Sequence, residues 1–171
     1  NGGNHLLNVG NFSRLLIGEI FTYEKLLYLD SDSIIKSDLY EKISNINLDY
    51  PVYLQKGDRE KLTLYLKSIL QSNVNWKEII NKDISLDNYA YFGAPMLVNC
   101  KKWNYVFSEI KNIISIHNKH ENGIYKLFTM SLLNIVFYDN IGNLNNIINC
   151  LPDCGSLRKN WTQEKLDSSH I

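Results

Sequence analysis

The chain reads as an α/β domain with a mostly parallel central sheet flanked by helices, and three observations predict it. Short apolar runs alternate with amphipathic stretches along the sequence, which is the pattern of strands joined through helices. Leu26-Leu27-Tyr28-Leu29 is a continuous apolar run of strand length, as expected of a strand covered on both faces. That run ends abruptly in Asp30-Ser31-Asp32, two carboxylates one residue apart, where open α/β sheets place their ligands. At 171 residues the chain is long enough for one domain, 1–171, with a proper core.

The elements follow in order. Phe12, Leu15, Leu16 and Ile20 recur at helical spacing, so an amphipathic helix leads into the first strand and carries Arg14. The planar guanidinium of Arg14 suits a phosphate or a carboxylate. After the Asp-Ser-Asp segment, Asp38-Leu39-Tyr40 opens a short helix with Asp38 as its cap. Tyr50 to Gln55 reads as a strand, and Arg59 to Gln71 carries Leu62, Tyr65, Leu66, Ile69 and Leu70 at helical spacing. Asn73 to Asp87 is polar and Asn-rich, an irregular stretch where acceptor-specific elements would sit. The apolar run after Tyr91 is a buried strand that turns into a helix start. Lys101 to His117 is an amphipathic helix with Trp103, Val106, Phe107, Ile110, Ile113 and Ile114 inward, and His117 and His120 complement its C-terminus. Tyr125 to Tyr138 is a second apolar helix. Turn-rich Asp139 to Asn143 and a short strand and loop from Ile147 complete the chain.

Composition narrows the function classes. Eighteen basic and 18 acidic residues cancel, so no field favours nucleic acid or an anionic membrane. No apolar run is long enough for a transmembrane segment, and no signal peptide is recognisable. Three cysteines are an odd number without a dense framework, which points to a reducing, cytoplasmic compartment. Cys150 and Cys154 lack a second ligand pair, which argues against a zinc site.

The chemistry concentrates at Asp30 and Asp32. An Asp-x-Asp at a strand end offers a hard divalent cation, Mn²⁺ or Mg²⁺, two oxygen donors and leaves positions for phosphate oxygens. The same residues are also ordinary turn formers.

The whole run from Phe12 to Leu39 resembles glycosyltransferase family 8, the glycogenin-like and lipopolysaccharide galactosyl- or glucosyltransferase-like enzymes. Arg14-Leu15-Leu16, Lys25-Leu-Leu-Tyr-Leu-Asp30-Ser31-Asp32 and Ser37-Asp38-Leu39 match that family's Arg-Leu-Leu helix, its Tyr-Leu-Asp-x-Asp strand and its Gly-Asp-Leu turn. Tyr91-Phe92-Gly93-Ala94-Pro95-Met96-Leu97-Val98-Asn99-Cys100-Lys101-Lys102-Trp103 resembles the segment that lines the family's donor-sugar pocket, one residue shorter. Gly93 stands where the family has a polar Asn, and Pro95 where it has Gly. A third block, Phe128 to Phe137, aligns with the family's Asp-Gln-Asp-x-Leu-Asn. It keeps Leu133-Asn134 but has Thr129, Met130 and Ser131 at the three polar positions. His170 matches the family's metal-binding His, and imidazole suits Mn²⁺ beside carboxylates.

The resemblance implies a GT-A nucleotide-diphospho-sugar transferase fold and a retaining transfer of a hexose from a UDP-linked sugar. The acceptor would be a saccharide, a lipid-linked sugar or a protein. By the same resemblance Asp30, Asp32 and His170 hold the metal. Arg14, Asp30, Ser31, Asp32, Gly93, Ala94 and Pro95 face the donor, and Asn134 and Ser131 supply the polar contacts that Met130 cannot. It covers roughly Phe12 to His170, so the family's first units, which bind uracil and ribose, have no counterpart before Phe12. Two alternatives stand beside it. A haloacid-dehalogenase-like phosphatase would use Asp30 as nucleophile and Asp32 as acid/base. A catalytically impaired sugar-nucleotide-binding homologue would explain the lost polar positions. The block from Tyr91 to Trp103 speaks for a transferase relative, because the phosphatase pattern has nothing like it.

Overall fold

A computed structural model of the chain describes residues 13–63, 82–103, 108–112, 129–148 and 163–169. A 3₁₀ turn, Arg14–Leu16, runs into the one-turn helix α1, Ile17–Ile20. There follow β1, Lys25–Tyr28; α2, Leu39–Ser44; β2, Val52–Lys61; and β3, Tyr89–Asn99. Residues 100–103 and 108–112 are helical. The helix α3, Thr129–Val136, leads to β4, Ile141–Asn143, then to a 3₁₀ turn, Leu144–Asn146, and α4 is Gln163–Ser168.

The described strands form one sheet in the order β1-β3-β2-β4. β3 pairs antiparallel with β1, from Lys25↔Asn99 to Tyr28↔Met96, and antiparallel with β2 on its other side. β2 and β4 are parallel, with Val52 opposite Ile141. The sheet is therefore mixed, where strand–helix alternation leads one to expect mostly parallel pairing. The alternation does register something real, because β1, β2 and β4 all run the same way. β3 alone is reversed, and it is inserted between β1 and β2, so two of the three ladders are antiparallel. A hydrophobic pattern reports burial and period, and says nothing about the direction in which a buried strand enters its sheet.

Both faces of the sheet are covered, and alternate residues sort between them as the pleat requires. Val52, Leu54, Met96 and Val98 face a layer containing Leu132, Leu133, Ile135 and Val136 of α3, together with Phe137, Trp103, Ile110, Leu15 and Ile17. Tyr53 and Leu97 face the other layer, with Leu39, Leu48, Leu144 and Ile148. β1 contributes Leu26 and Tyr28 to the first layer and Leu27 and Leu29 to the second. All four β1 residues are only half-buried, because β1 borders the described sheet.

Several elements differ from the sequence reading for identifiable reasons. Residues 59–61, expected in a helix, continue β2, and only 62–63 turn helical before the described segment ends. Ile141–Asn143, expected as a turn, is the parallel edge strand β4. The turn precedes it at Asp139, whose φ of 63° ends α3 in the left-handed conformation that Asp tolerates. Leu15 of the 3₁₀ turn and Ile17 of α1 are buried, while Leu16 and Ile20 stay exposed. The short 3₁₀ turn ahead of α1 rotates the inward face by one residue relative to a continuous α-helix. Asp38 caps α2 as expected, its carboxylate accepting from the Glu41 amide at 3.2 Å. Expectations at residues 64–81 and 113–128, and at Cys150 and Cys154, lie outside the described residues.

Candidate active site

β1 delivers its chemistry at its end. Asp30 follows the strand, and the Ser33 amide donates to the Asp30 carbonyl at 3.0 Å, closing a tight turn over Asp30-Ser31-Asp32-Ser33. The loop beyond is held at its far side by Lys25, whose ammonium donates to the carbonyls of Ile43 (3.3 Å) and Ser44 (2.7 Å) at the end of α2. A cation there also complements the helix C-terminus. Ser31 and Asp32 are exposed in this turn.

Asp30 is the hub of a polar cluster. Its Oδ1 accepts from the Tyr28 hydroxyl at 3.1 Å and faces Arg14 Nη2 at 3.5 Å. Arg14 Nη1 donates to the Gly93 carbonyl at 3.1 Å, and its guanidinium carbon lies 4.9 Å from the centre of the Tyr28 ring. The Arg14 side chain is 12% exposed and that of Asp30 45%, so the cation is sunk and the carboxylate is presented outward. The 3₁₀ turn that carries Arg14 is anchored from below, where Trp103 Nε1 donates to the Leu15 carbonyl at 3.1 Å. Burial pushes the Tyr28 phenol above its usual range; Arg14 works against this, and the bond to Asp30 adds to it. Tyr28 is thus a neutral donor. Sequence reasoning missed it, although two residues before Asp30 in an extended chain puts it on the same side of the strand as the carboxylate.

β3 meets this cluster at its irregularity. Its pairing with β2 jumps from Leu54↔Met96 to Gln55↔Phe92, so Gly93, Ala94 and Pro95 bulge out of the ladder where β1 ends. The Ala94–Pro95 peptide is cis. A Cβ at Gly93 would lie 3.5 Å from Arg14 Nη1, 3.6 Å from Leu133 Cδ1 and 3.8 Å from Met130 Cα. The bulge, Arg14 and the first turns of α3 are therefore neighbours. Gly93 and Pro95 are buried, and Ala94 is half-buried.

The residue expected to replace the lost polar contacts is placed otherwise. Asn134 is 2% exposed. Its Oδ1 accepts from the Tyr91 amide at 2.8 Å, and its Nδ2 donates to the carbonyls of Tyr91 (2.7 Å) and Met130 (2.8 Å). Both donors and the oxygen are committed to backbone, so Asn134 clamps α3 onto β3 and has nothing left to offer a sugar. The bonds it makes are those of a positioning residue. Ser131 lies in α3 by its backbone and Met130 is half-buried one residue earlier; the Ser131 side chain and His170 lie outside the described residues. Lys36 Nζ lies 3.4 Å from Ser169 Oγ, which brings the residue before His170 to the loop that follows the Asp30–Asp32 turn.

The donor set suits a hard divalent cation in kind. Two carboxylates one residue apart are the protein share that Mg²⁺ or Mn²⁺ commonly takes, the remainder coming from phosphate oxygens and water. Among the described residues no group of three or more His, Cys, Asp or Glu side chains gathers into a closed cage. No described helix is long and apolar enough to cross a membrane.

Two solved structures share this architecture. The bifunctional glycosyltransferase WbbM, in its apo structure, superposes with a TM-score of 0.54 at 22% identity, covering 78% of this chain and 24% of that one. The galactosyltransferase LgtC, solved in complex with donor and acceptor sugar analogues, gives 0.52 at 18% identity, covering 80% and 45%. The chain thus spans about a quarter of the first and under half of the second. At these identities the likeness is one of fold, the α/β fold of GT-A glycosyltransferases. A comparison with curated protein sequences gave no match. The family model for glycosyl transferase family 8 covers residues 4–170, taking in the Arg14 turn, the Asp30–Asp32 turn and the β3–α3 junction together. That span leaves no room for the phosphatase alternative, and the chain belongs to glycosyltransferase family 8.

Proposed function

We propose that the protein is a metal-dependent retaining hexosyltransferase that takes its sugar from a nucleotide-diphosphate donor, UDP-linked by preference. The observation that carries this reading is the convergence of Arg14, Tyr28 and the Gly93 bulge on the outward-facing carboxylate of Asp30. Family membership supplies the reaction class, and the cluster supplies the place. Asp30 and Asp32 hold Mn²⁺ or Mg²⁺, with His170 as the third protein ligand. A divalent cation held by these residues would supply positive charge to offset that of the diphosphate leaving group. Arg14 fixes the β3 bulge against the carboxylate turn, so that the donor pocket and the metal ligands keep one geometry. Ser31 and Ala94 line the donor from the turn and the bulge. Ser131, on α3 beside Met130, offers a hydroxyl at one of the three lost polar positions. The acceptor is a saccharide, free, lipid-linked or on a protein.

The test is turnover of a panel of UDP- and other nucleotide sugars with Mn²⁺, read as release of the nucleoside diphosphate. Release from at least one donor, lost in Asp32→Asn, is the expected result. Met130 in place of a polar Gln, and an Asn134 amide bonded to backbone, favour a second reading: a homologue that binds the sugar nucleotide and transfers poorly. Mn²⁺-dependent donor binding without release from any donor would select it.

A further inference from the structure

The cluster around Asp30 treats the two oxygens of that carboxylate differently. Oδ1 accepts from Tyr28 at 3.1 Å and faces Arg14 Nη2 at 3.5 Å. Oδ2 bonds to no described residue. The ion pair is long for a guanidinium and a carboxylate, whose charge-assisted bonds normally close to about 2.7–2.9 Å. Arg14 is meanwhile held elsewhere, by the Gly93 carbonyl at 3.1 Å and by the face of the Tyr28 ring at 4.9 Å. Tyr28 therefore does two things at once: its hydroxyl fixes Oδ1, and its ring holds the cation that would otherwise capture the carboxylate.

We propose that Tyr28 is a positioning residue for the metal site, keeping Asp30 from closing a two-oxygen ion pair with Arg14 and leaving Oδ2 free for the cation. This rests on the metal reading of Asp30 and Asp32 given above. A free carboxylate three to four ångströms from a buried guanidinium relaxes toward the fork, where both oxygens are engaged. A carboxylate so engaged is a poor ligand, because the cation must first break two charge-assisted bonds. The phenol prevents this without adding charge, since it is a neutral donor that satisfies one oxygen and points the other away. Hydrogen-bond partners that orient ligating groups commonly change metal affinity 10- to 100-fold when removed.

The test is direct Mn²⁺ binding to the intact chain without donor, followed by electron paramagnetic resonance of free Mn²⁺, in wild type, Tyr28→Phe and Asp30→Asn. Phe keeps the ring against Arg14 and deletes one oxygen. Thermal midpoints without metal show whether each variant is folded. We expect Tyr28→Phe to bind Mn²⁺ about 10-fold more weakly at an unchanged metal-free midpoint. Arg14→Gln, which removes the competing cation, should restore affinity when combined with Tyr28→Phe. If Asp30→Asn loses binding while Tyr28→Phe stays within twofold of wild type, the positioning role is wrong and the metal reading stands. If Asp30→Asn binds as wild type does, the metal reading itself falls and the positioning role with it. If Tyr28→Phe weakens binding but Arg14→Gln fails to restore it, competition by Arg14 is refuted. Should Tyr28→Phe lower the midpoint, the restoration by Arg14→Gln decides alone.

Discussion

The turn after β1 and the junction of β3 with α3 are neighbours built on opposite plans. At the turn, polar groups outnumber their internal partners: Asp30 is 45% exposed on its side chain, Ser31 and Asp32 are exposed, and Arg14 and Tyr28 brace the carboxylate from behind. At the junction every polar atom of Asn134 is spent on the backbone of Tyr91 and Met130. The Asp30-Ser31-Asp32 turn and, at the junction, Asn134 both match the family at the level of residue letters. Only one presents its polar groups to an incoming ligand. A retained Asp at the end of a strand is exposed because the chain must turn there. A retained Asn in the middle of an apolar helix is buried by its neighbours, and burial obliges it to find partners. The same reading of two motifs thus finds an outward-facing carboxylate in one case and a backbone clamp in the other.

The largest effect that would break this contrast is on turnover. Asp32→Asn removes a negative ligand from an exposed position and keeps its shape. Nucleoside diphosphate release with Mn²⁺ should fall at least about 100-fold, the scale of losing a principal electrostatic group in a site. The thermal midpoint should stay near wild type, because exposed substitutions away from packed contacts usually change stability by under about 0.5 kcal/mol. A variant that melts early while its remaining folded fraction works normally would make Asp32 a structural turn residue.

The junction should answer in the opposite sense. Asn134→Ala removes side-chain partners from the Tyr91 amide and carbonyl in a dry interior, each buried unmet group costing about 1–3 kcal/mol. We expect a loss of roughly 3 kcal/mol, a drop of about 6–12 °C in midpoint for a chain of this size. Donor affinity, measured below the new midpoint, should change much less. A stable Asn134→Ala with abolished turnover would return Asn134 to the reacting centre and erase the distinction between the two regions.

What the sequence disclosed follows the same division. The β1 strand, its Asp-Ser-Asp ending, the Asp38 cap and the buried apolar run of β3 are local, and local periodicity and chain reversal suffice to read them. Tyr28 was legible in principle, since its two-residue offset from Asp30 sets both on one side, yet an aromatic in an apolar run reads first as core. The reversal of β3 between β1 and β2 was hidden, because burial on both faces looks the same in either direction. The backbone bonding of Asn134 was hidden for a related reason: a motif marks a position and leaves open which way its side chain points. Gly142 shows the limit from the other side. Nothing in Asp139 to Asn143 announces a strand, but β4 pairs Gly142 with Tyr53.

That pairing gives a third, intermediate effect. A Cβ at Gly142 would come within 2.2–2.3 Å of Tyr53 Cδ1 and Cε1 and 2.8 Å of Cγ. The ring cannot swing aside freely, because its hydroxyl accepts from the Asp49 amide at 2.9 Å and the ring packs edge-on to Tyr50 at 5.7 Å between centres. Gly142→Ala should cost about 1–3 kcal/mol, as forced extra volume in a packed site does. Tyr53→Ala in the same chain should remove most of that penalty, measured as a double-mutant cycle in denaturant. Additive losses would place the strain elsewhere.

The smallest effect is expected at the far end of the ladder whose near end carries the site. Lys101 reaches from just beyond β3 to Glu24 just before β1, Nζ to Oε1 at 2.7 Å, with side chains 73% and 67% exposed. The hydrogen bond from Lys101, and then its charge, hold the Glu24 carboxyl below its usual range. A depressed carboxyl stabilises the fold above its unfolded value, and that contribution is lost as pH falls through the folded one. Melting of Lys101→Ala against wild type should therefore differ most at neutral pH and converge on acidification from about pH 4.5 downward. Solvent screens so exposed a pair, so the neutral-pH difference should be slight and shrink further in salt. If the turn binds Mn²⁺ as proposed, that binding should persist across the same salt range, since direct coordination by Asp30 and Asp32 would not rest on long-range attraction. A large, salt-resistant loss in Lys101→Ala would mean that the β1–β3 ladder is held from its exposed end. The placement of Asp30 against the β3 bulge would then depend on Glu24 and Lys101 as much as on Arg14.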